Sequence, residues 1–302
     1  MSDTKAYLSK LFKPGDGLCY TSLDKGTAVV PFEEALELRP ARNFVSVNPL
    51  LINEDRMPTA DWHNAGVGRR ADVNVSAYRN FLLEFDEDSL AEQLFEVRSK
   101  ELPFATLTFS GGKSLHAVVA LTESVGSPAA YAHVHKCLRY IFWRTDPTCR
   151  NPSRLTRVAG ARRLCDDGPE REQELYELRK PIKVDQLERY INRFRSHIYR
   201  CMDREQEEQH KRVRDIEARG GGGLLAVDPK TMAFLESGET PAKSRHARLV
   251  AAAFELMECG VDYVEALRLL EKAADLAGIT ADPKRAREAE QVANYVYARA
   301  AR

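Results

Sequence analysis

Residues 103–121 read PFATLTF, then SGGKS, then LHAVVAL. Two runs rich in β-branched and aromatic residues, separated by five turn-forming residues, predict an antiparallel hairpin around Ser110–Ser114. The hairpin therefore commits this part of the chain to a sheet. Candidate neighbours lie on both sides. RNFLLEFDED (79–88) predicts a buried strand, NFVSVNPLLI (43–52) a strand running into a turn at Asn48-Pro49, SRLTRVAG (153–160) a short strand with arginines in it, and LYELRKPIKV (175–184) a last strand and its exit. GVGRRADVNV (66–75) predicts a polar loop.

Helical spacing takes over at Ser127-Pro128, a cap followed by proline at the first helical position. Beyond it Tyr131, Val134, Leu138, Ile141 and Phe142 fall on one helical face. From Asp185 to Arg219 the pattern is helical again, with Leu187, Ile191, Phe194 and Ile198 as its apolar stripe and charges alone after Met202. Four glycines (220–223) then break the chain. The remainder predicts about four short helices, with starts at Asp228-Pro229 and Asp282-Pro283, a capping pair at Asp262 and Glu265, and a C-cap at Gly278. The expected fold class is α+β: a mixed or antiparallel sheet with flanking helices over residues 1–219, a glycine-rich linker at 220–226, and a small all-α bundle at 227–302.

The 302 residues carry 45 Lys+Arg and 45 Asp+Glu, so bulk charge does not announce a nucleic-acid partner, and any such surface has to be local. Six cysteines, at 19, 137, 149, 165, 201 and 259, form no C-x-x-C pair and read as thiols of a reducing compartment. The start, MSDTKAYLSKLF, has no apolar signal core, and no 18-residue apolar run occurs. A cytoplasmic, membrane-free protein is expected.

Three stretches carry chemistry. In FLLEFDED, alternation puts Phe81, Leu83 and Phe85 on one face and Glu84 and Asp86 on the other. Two carboxylates that close repel unless a cation lies between them, and a hard divalent ion is the natural partner. Taken alone, the pair also fits a half-exposed strand end carrying solvated acids. In the hairpin, Gly111 and Gly112 free the backbone to offer amides to an anion, Lys113 and Ser114 add donors, and Ser114 and His116 share one face of the strand. The turn enters a strand and lacks the full G-x-x-x-x-G-K-[ST] pattern, which excludes a P-loop. In the third stretch Asp146 follows the helix. Residues 150–163 then hold five arginines (150, 154, 157, 162, 163) and no acid, a set suited to phosphate.

In this order, a strand with E-x-D, a strand opening S-x-H, and an Asp followed by an arginine-bearing strand resemble the archaeo-eukaryotic primase superfamily, including the primase–polymerases of phages and plasmids. The resemblance covers residues 40–165, with SGGKSLH and NPSRLTR its most specific parts. Glu84-x-Asp86 stands where that family often has D-x-D or D-x-E. The resemblance implies an RRM-like sheet and a DNA primase or primase-polymerase using two Mg2+ or Mn2+ ions held by Glu84, Asp86 and Asp146. It places Lys113, Ser114, His116, Arg154 and Arg157 at the nucleotide. It implies an NTP or dNTP substrate, a single-stranded DNA template, room for a helicase acting in trans, and a mobile-element gene in a bacterial or archaeal host. The tail from FLESGETPAKSRHARLVAAAF resembles the small helical domains that follow such catalytic domains, with Arg245 and His246 as template or initiation contacts. A packing or oligomerisation bundle is the other reading of that tail.

No zinc is expected: His133, His135 and Cys137 are spaced two apart on a predicted helix. The same HVH letters, with Tyr131 and Tyr140 nearby, carry the alternative of an HUH-type nicking replication initiator, which needs both histidines on one strand face. A non-catalytic single-stranded-DNA-binding accessory protein is the third reading.

Overall fold

The computed structural model describes residues 3–22, 26–52, 68–165, 168–218, 222–240, 245–281 and 285–300. Asp282-Pro283, Lys243 and the first two linker glycines lie outside them.

The chain opens with α1 (Asp3–Leu11), followed by the short strands β1 (Gly17–Leu18), β2 (Tyr20–Thr21) and β3 (Val30–Pro31), helix α2 (Phe32–Glu37) and β4 (Phe44–Ser46). The centre is β5 (Asn80–Phe85), α3 (Leu90–Ser99), β6 (Thr106–Phe109), β7 (Leu115–Ala120) and α4 (Pro128–Ile141). Then come β8 (Leu155–Arg157), β9 (Arg162–Cys165), β10 (Gly168–Glu172), β11 (Glu174–Leu178), α5 (Val184–Asn192) and α6 (Arg195–Ala218). The last helices are α7 (Pro229–Ser237), α8 (Arg245–Glu258), α9 (Tyr263–Leu276) and α10 (Glu288–Ala300). No described helix is long and apolar enough to cross a membrane.

The main sheet runs β11-β6-β7-β5 and a second runs β2-β4-β8, with every pairing of named strands antiparallel. The fold is therefore α+β. The hairpin at 103–121 forms as β6 and β7, with Thr108 opposite His116. β5 adds on the other side of β7, which puts Glu84 directly opposite His116.

Alternation explains how the main sheet buries both faces. Phe81, Leu83 and Phe85 pack with Leu107, Ala117 and Val119 under residues of α3, α4 and α5, including Val97, Leu138 and Leu187. Leu82, Val118 and Ala120 face the other way, against Tyr7, Leu8 and Leu11 of α1 and Val45 of β4. Along this second face the side chains change from apolar to polar, ending in Glu84, His116 and Thr108.

α3 has a sequence signature that the strand reading passes over: Ser89 accepts the Glu92 amide and the Glu92 carboxylate accepts the Ser89 amide, a complete capping box. The helix predicted over 185–219 divides at Arg193–Phe194 into α5 and α6. Arg162 and Arg163 belong to β9, paired with β10.

β5 is an edge strand, and its free edge is closed by side chains and a loop. Asn48 donates its amide N–H to the Asn80 carbonyl (2.9 Å) and accepts the Asn80 amide (2.8 Å). His135, on the buried face of α4, donates Nε2–H to the Leu82 carbonyl (3.0 Å). The Asp146 amide donates to the Glu84 carbonyl (2.9 Å) beside a Phe85–Thr145 bridge. Each contact prevents edge pairing with another chain.

Burial pushes the His135 pKa down to about 4. The native state thus favours neutral imidazole, while the unfolded chain binds a proton below ~6.5. Stability from this group is full above that pH and falls as pH drops toward 4, by about 2 kcal/mol at pH 5. Urea unfolding of the wild type and His135→Gln at pH 7 and pH 5 should show a smaller acid loss in the variant. Identical losses would contradict the assignment.

The chain divides into two compact units, Met1–Cys201 and Met202–Arg302. The second has an alanine-rich core, with Ala252, Ala253, Ala266, Ala273, Ala274 and Ala293 among Leu249, Leu256 and Leu270. Small residues let its helices approach closely. Gly238 (φ +67°) ends α7 in the left-handed region, and a Cβ there would lie 2.5 Å from the Ala277 amide nitrogen, so glycine is required.

Candidate active site

Edge closure of β5 sets the site. With the Asp146 amide on the Glu84 carbonyl, the two side chains emerge side by side. Asp146 is then the N-cap of a single 3-10 turn, Pro147–Arg150, and accepts the Thr148 amide (2.8 Å) and hydroxyl (2.6 Å). Residues three apart eclipse on such a turn, and Cys149 accordingly joins the pair. Its Sγ–H lies 3.3 Å from Glu84 Oε2 and 3.6 Å from Asp146 Oδ2. Among the described residues, Glu84, Asp146 and Cys149 are the one group of three or more His, Cys, Asp or Glu whose ligand atoms lie within 4.8 Å of one another.

Asp86 stands just past the end of β5 and pairs instead with Lys113, whose Nζ is 3.4 Å from Asp86 Oδ2. It is outside the converging group. Lys113 is largely exposed at the tip of the hairpin turn.

His116 is buried, with Nδ1 sharing a hydrogen bond with the Thr156 hydroxyl (3.1 Å) and Nε2 3.5 Å from Glu84 Oε1. Nε2 has no hydrogen-bond partner among the described residues. Burial pushes its pKa down; Glu84 opposes this, and Arg157, Arg154 and Arg163 reinforce it. Three arginines therefore act on the site. Arg154 places Nη2 3.6 Å from Asp146 Oδ2, and Arg157 lies over the Phe44 ring at 4.2 Å. For Asp146, burial disfavours the charged form, but hydrogen bonds from Thr148 and the charge of Arg154 outweigh it and hold the pKa below its ordinary value. Burial and then the Glu84 charge push the Cys149 thiol strongly up.

Part of the turn's backbone is already hydrogen-bonded within the protein. Ser110 Oγ accepts the amides of Ser114 (3.1 Å) and Gly112 (3.4 Å), and Gln93 accepts the Leu115 amide (2.8 Å) while donating to the Lys113 carbonyl (3.0 Å). The Ser114 and Gly112 amides are used inside the turn and the Leu115 amide in holding it to α3, while the Lys113 ammonium is exposed at the tip. Gly111 adopts φ +73°, with Glu172 O 2.9 Å from where a Cβ would stand. Ser114 is buried at the base of the turn.

Sequence reasoning missed Cys149, Thr156 and Gln93. The D-P-T-C spacing was the available signal for Cys149, since an Asp-Pro start predicts a tight turn with the fourth residue over the first. Thr156 and Gln93 reach the site only through sheet and helix packing, and no local pattern marks them.

His133 and His135 are on helix α4 and do not share a ligand position: His135 enters the core, and His133 Nε2 lies 3.8 Å from Cys137 Sγ, four residues on. In the second unit, His246 Nδ1 pairs with Glu288 Oε1 (2.8 Å), a carboxylate that Arg285 also binds. Arg245 begins α8, and Arg248 donates to the Lys230 carbonyl (2.7 Å).

No family model and no curated protein sequence matches the chain. Solved structures with similarity include the AEP domain of the cyanophage S-2L primase-polymerase, at 18% identity and TM-score 0.46, covering 63% of this chain and 96% of that one. Primase RepB' is matched at 15% identity and TM-score 0.40, over 97% of this chain and 93% of that one. The catalytic domain of primase RepB' in complex with initiator DNA is matched at 13% identity and TM-score 0.41, over 68% and 97%. At these values the functional reading rests on the site's own geometry.

Proposed function

We propose that the chain is a template-directed nucleotidyltransferase, a DNA primase or primase-polymerase that builds primers on single-stranded DNA from NTPs or dNTPs. The observation that carries this reading is the convergence of Glu84 and Asp146 beside a buried histidine and under the charge of three arginines.

The donors fit a divalent cation. Two carboxylates meet at the end of an edge strand, with ligand oxygens within 4.8 Å of each other. Glu84, Asp146 and Asp86 would hold the Mg2+ or Mn2+ ions, which when bound supply Lewis-acid stabilisation of the triphosphate and a lowered pKa for the attacking 3′-hydroxyl. The chain's own residues do the rest. With a nucleotide bound, a Thr156 hydroxyl donating to His116 Nδ1 would put the ring proton on Nε2, and the neutral imidazole would then offer an N–H donor to a phosphate oxygen. Arg154, beside Asp146, would neutralise charge between that carboxylate and the nucleotide, with Arg157 in support. Lys113, at the exposed tip, would leave Asp86 for the phosphates, and Ser114 would support the same end of the strand. A helicase acting in trans would supply the unwound template.

The test is nucleotide incorporation on primed and unprimed single-stranded DNA, with each nucleotide class and with Mg2+ or Mn2+. Incorporation is expected. Binding of single-stranded DNA with no incorporation under any combination would overturn the reading. In the same assay His116→Ala should weaken nucleotide binding by about 1.5–3 kcal/mol, the worth of a hydrogen bond to a charged acceptor, while leaving single-stranded DNA affinity close to wild type. Equal loss of both would assign His116 to the template or to folding.

A further inference from the structure

The reading above treats Glu84 and Asp146 as ligands of a hard cation, which has no use for sulfur. Yet Cys149 is buried between them, its Sγ 3.3 Å from Glu84 Oε2 and 3.6 Å from Asp146 Oδ2. A tetrahedral zinc-sized ion with sulfur at about 2.3 Å and oxygen at about 2.1 Å spans a sulfur–oxygen edge of about 3.6 Å. The two observed separations are close to that edge. A second feature points to a ligand in the same place: His116 Nε2, buried and without a hydrogen-bond partner among the described residues, is directed at the other oxygen of Glu84 at 3.5 Å.

We infer that Glu84, Asp146 and Cys149 form a high-affinity site for a thiophilic divalent ion, Zn2+ or Cd2+, and that such an ion shuts the enzyme down by taking the place of the catalytic cation. The inference rests on the proposed metal-ligand roles of Glu84 and Asp146, and adds the sulfur as the selecting group. With a hard ion, Cys149 keeps its proton and donates to Glu84. With a soft ion, the sulfur binds as thiolate and its proton passes to solvent. The site then discriminates by donor type rather than by size: replacing a hard ion with a thiophilic one adds a third protein ligand. Three protein ligands plus one open position is the coordination that divalent zinc accepts, but an ion held there by sulfur is poorly placed to exchange with the ion the nucleotide brings. The other cysteine pairings are poorer in donors. Cys137 has His133 at 3.8 Å and Cys201 has His197 at 3.6 Å, and neither pair belongs to a converging group of three among the described residues.

The experiment is a Cd2+ titration of the full-length reduced protein, read by thiolate-to-cadmium charge-transfer absorption in the ultraviolet and by release of bound Mn2+ in electron paramagnetic resonance. One equivalent of Cd2+ should produce the band and displace Mn2+ together. Cys149→Ser should lose the band and bind Cd2+ at least tenfold more weakly, whereas Cys137→Ala/Cys201→Ala should keep both signals. The double variant serves as the decisive measurement if Cys149→Ser does not fold. Cd2+ bound without a charge-transfer band would overturn the inference, as would a band that survives Cys149→Ser or disappears from the double variant. A band that depends on Cys149 in a chain that incorporates no nucleotide under Mg2+ or Mn2+ would leave the metal site standing and remove the polymerase reading, so the two fail separately.

Discussion

Asp146→Asn should lower nucleotide incorporation on the order of 10^3-fold, about 4 kcal/mol at 1.36 kcal/mol per factor of ten, with little change in the folded structure. Asparagine keeps the shape of the side chain and still accepts the Thr148 amide, so the turn at 147–150 retains its cap. The negative charge that opposes Glu84 is what disappears. Because Asp146 titrates below its ordinary value, its ionised form contributes to stability above the unfolded pKa, and that contribution is lost as pH falls. The substitution therefore brings a modest loss of stability at neutral pH and none in strong acid. Glu87→Gln is the control: Glu87 is exposed one residue beyond Asp86 and should be silent. Near-normal incorporation by Asp146→Asn with both Mg2+ and Mn2+, or an equal loss in Glu87→Gln, would remove Asp146 from the metal site.

Much of this site could be read in advance because its parts are local. Alternation alone assigns Leu83 and Phe85 to the core and Glu84 to the opposite face, which the burial pattern follows. The hairpin and the S-x-H face need only the turn glycines and a period of two. What could not be read is long-range. That β11 pairs with β6 at the far edge of the sheet, and that β8 brings Thr156 under His116 from a different sheet, depends on pairings between residues tens of positions apart, for which a single sequence has no marker. α3 is a different kind of omission: the Ser89–Glu92 capping box is a local signal that marks its start. Cys149 shows a third kind. A lone cysteine in a basic segment says little until the Asp-Pro turn folds it back over Asp146.

The proposed division after residue 219 carries the last prediction. The clusters that bury the sheet draw on residues between Tyr7 and Ile198, whereas the helical core of the second unit draws on residues from Ala226 to Val296. Each set closes on itself, so a fragment of 1–219, which keeps α6 whole, should fold and extend a pre-annealed primer at close to the full chain's rate. Starting a primer is a harder task. Two free nucleotides have to be held on the template with no duplex to align them, and the positional entropy they lose has to be offset by additional binding surface. The start of α8 offers such a surface, with Arg245, His246 and Arg248 within one turn, although Glu288 already faces His246 and leaves the two arginines as the stronger cations. De novo priming by 1–219 should fall on the order of 10- to 100-fold for want of that surface. Arg245→Ala/Arg248→Ala in the full chain should reproduce most of the loss without touching extension. Priming that survives truncation, or a parallel loss of priming and extension, would show that the helical unit serves packing or assembly and has no separate part in initiation.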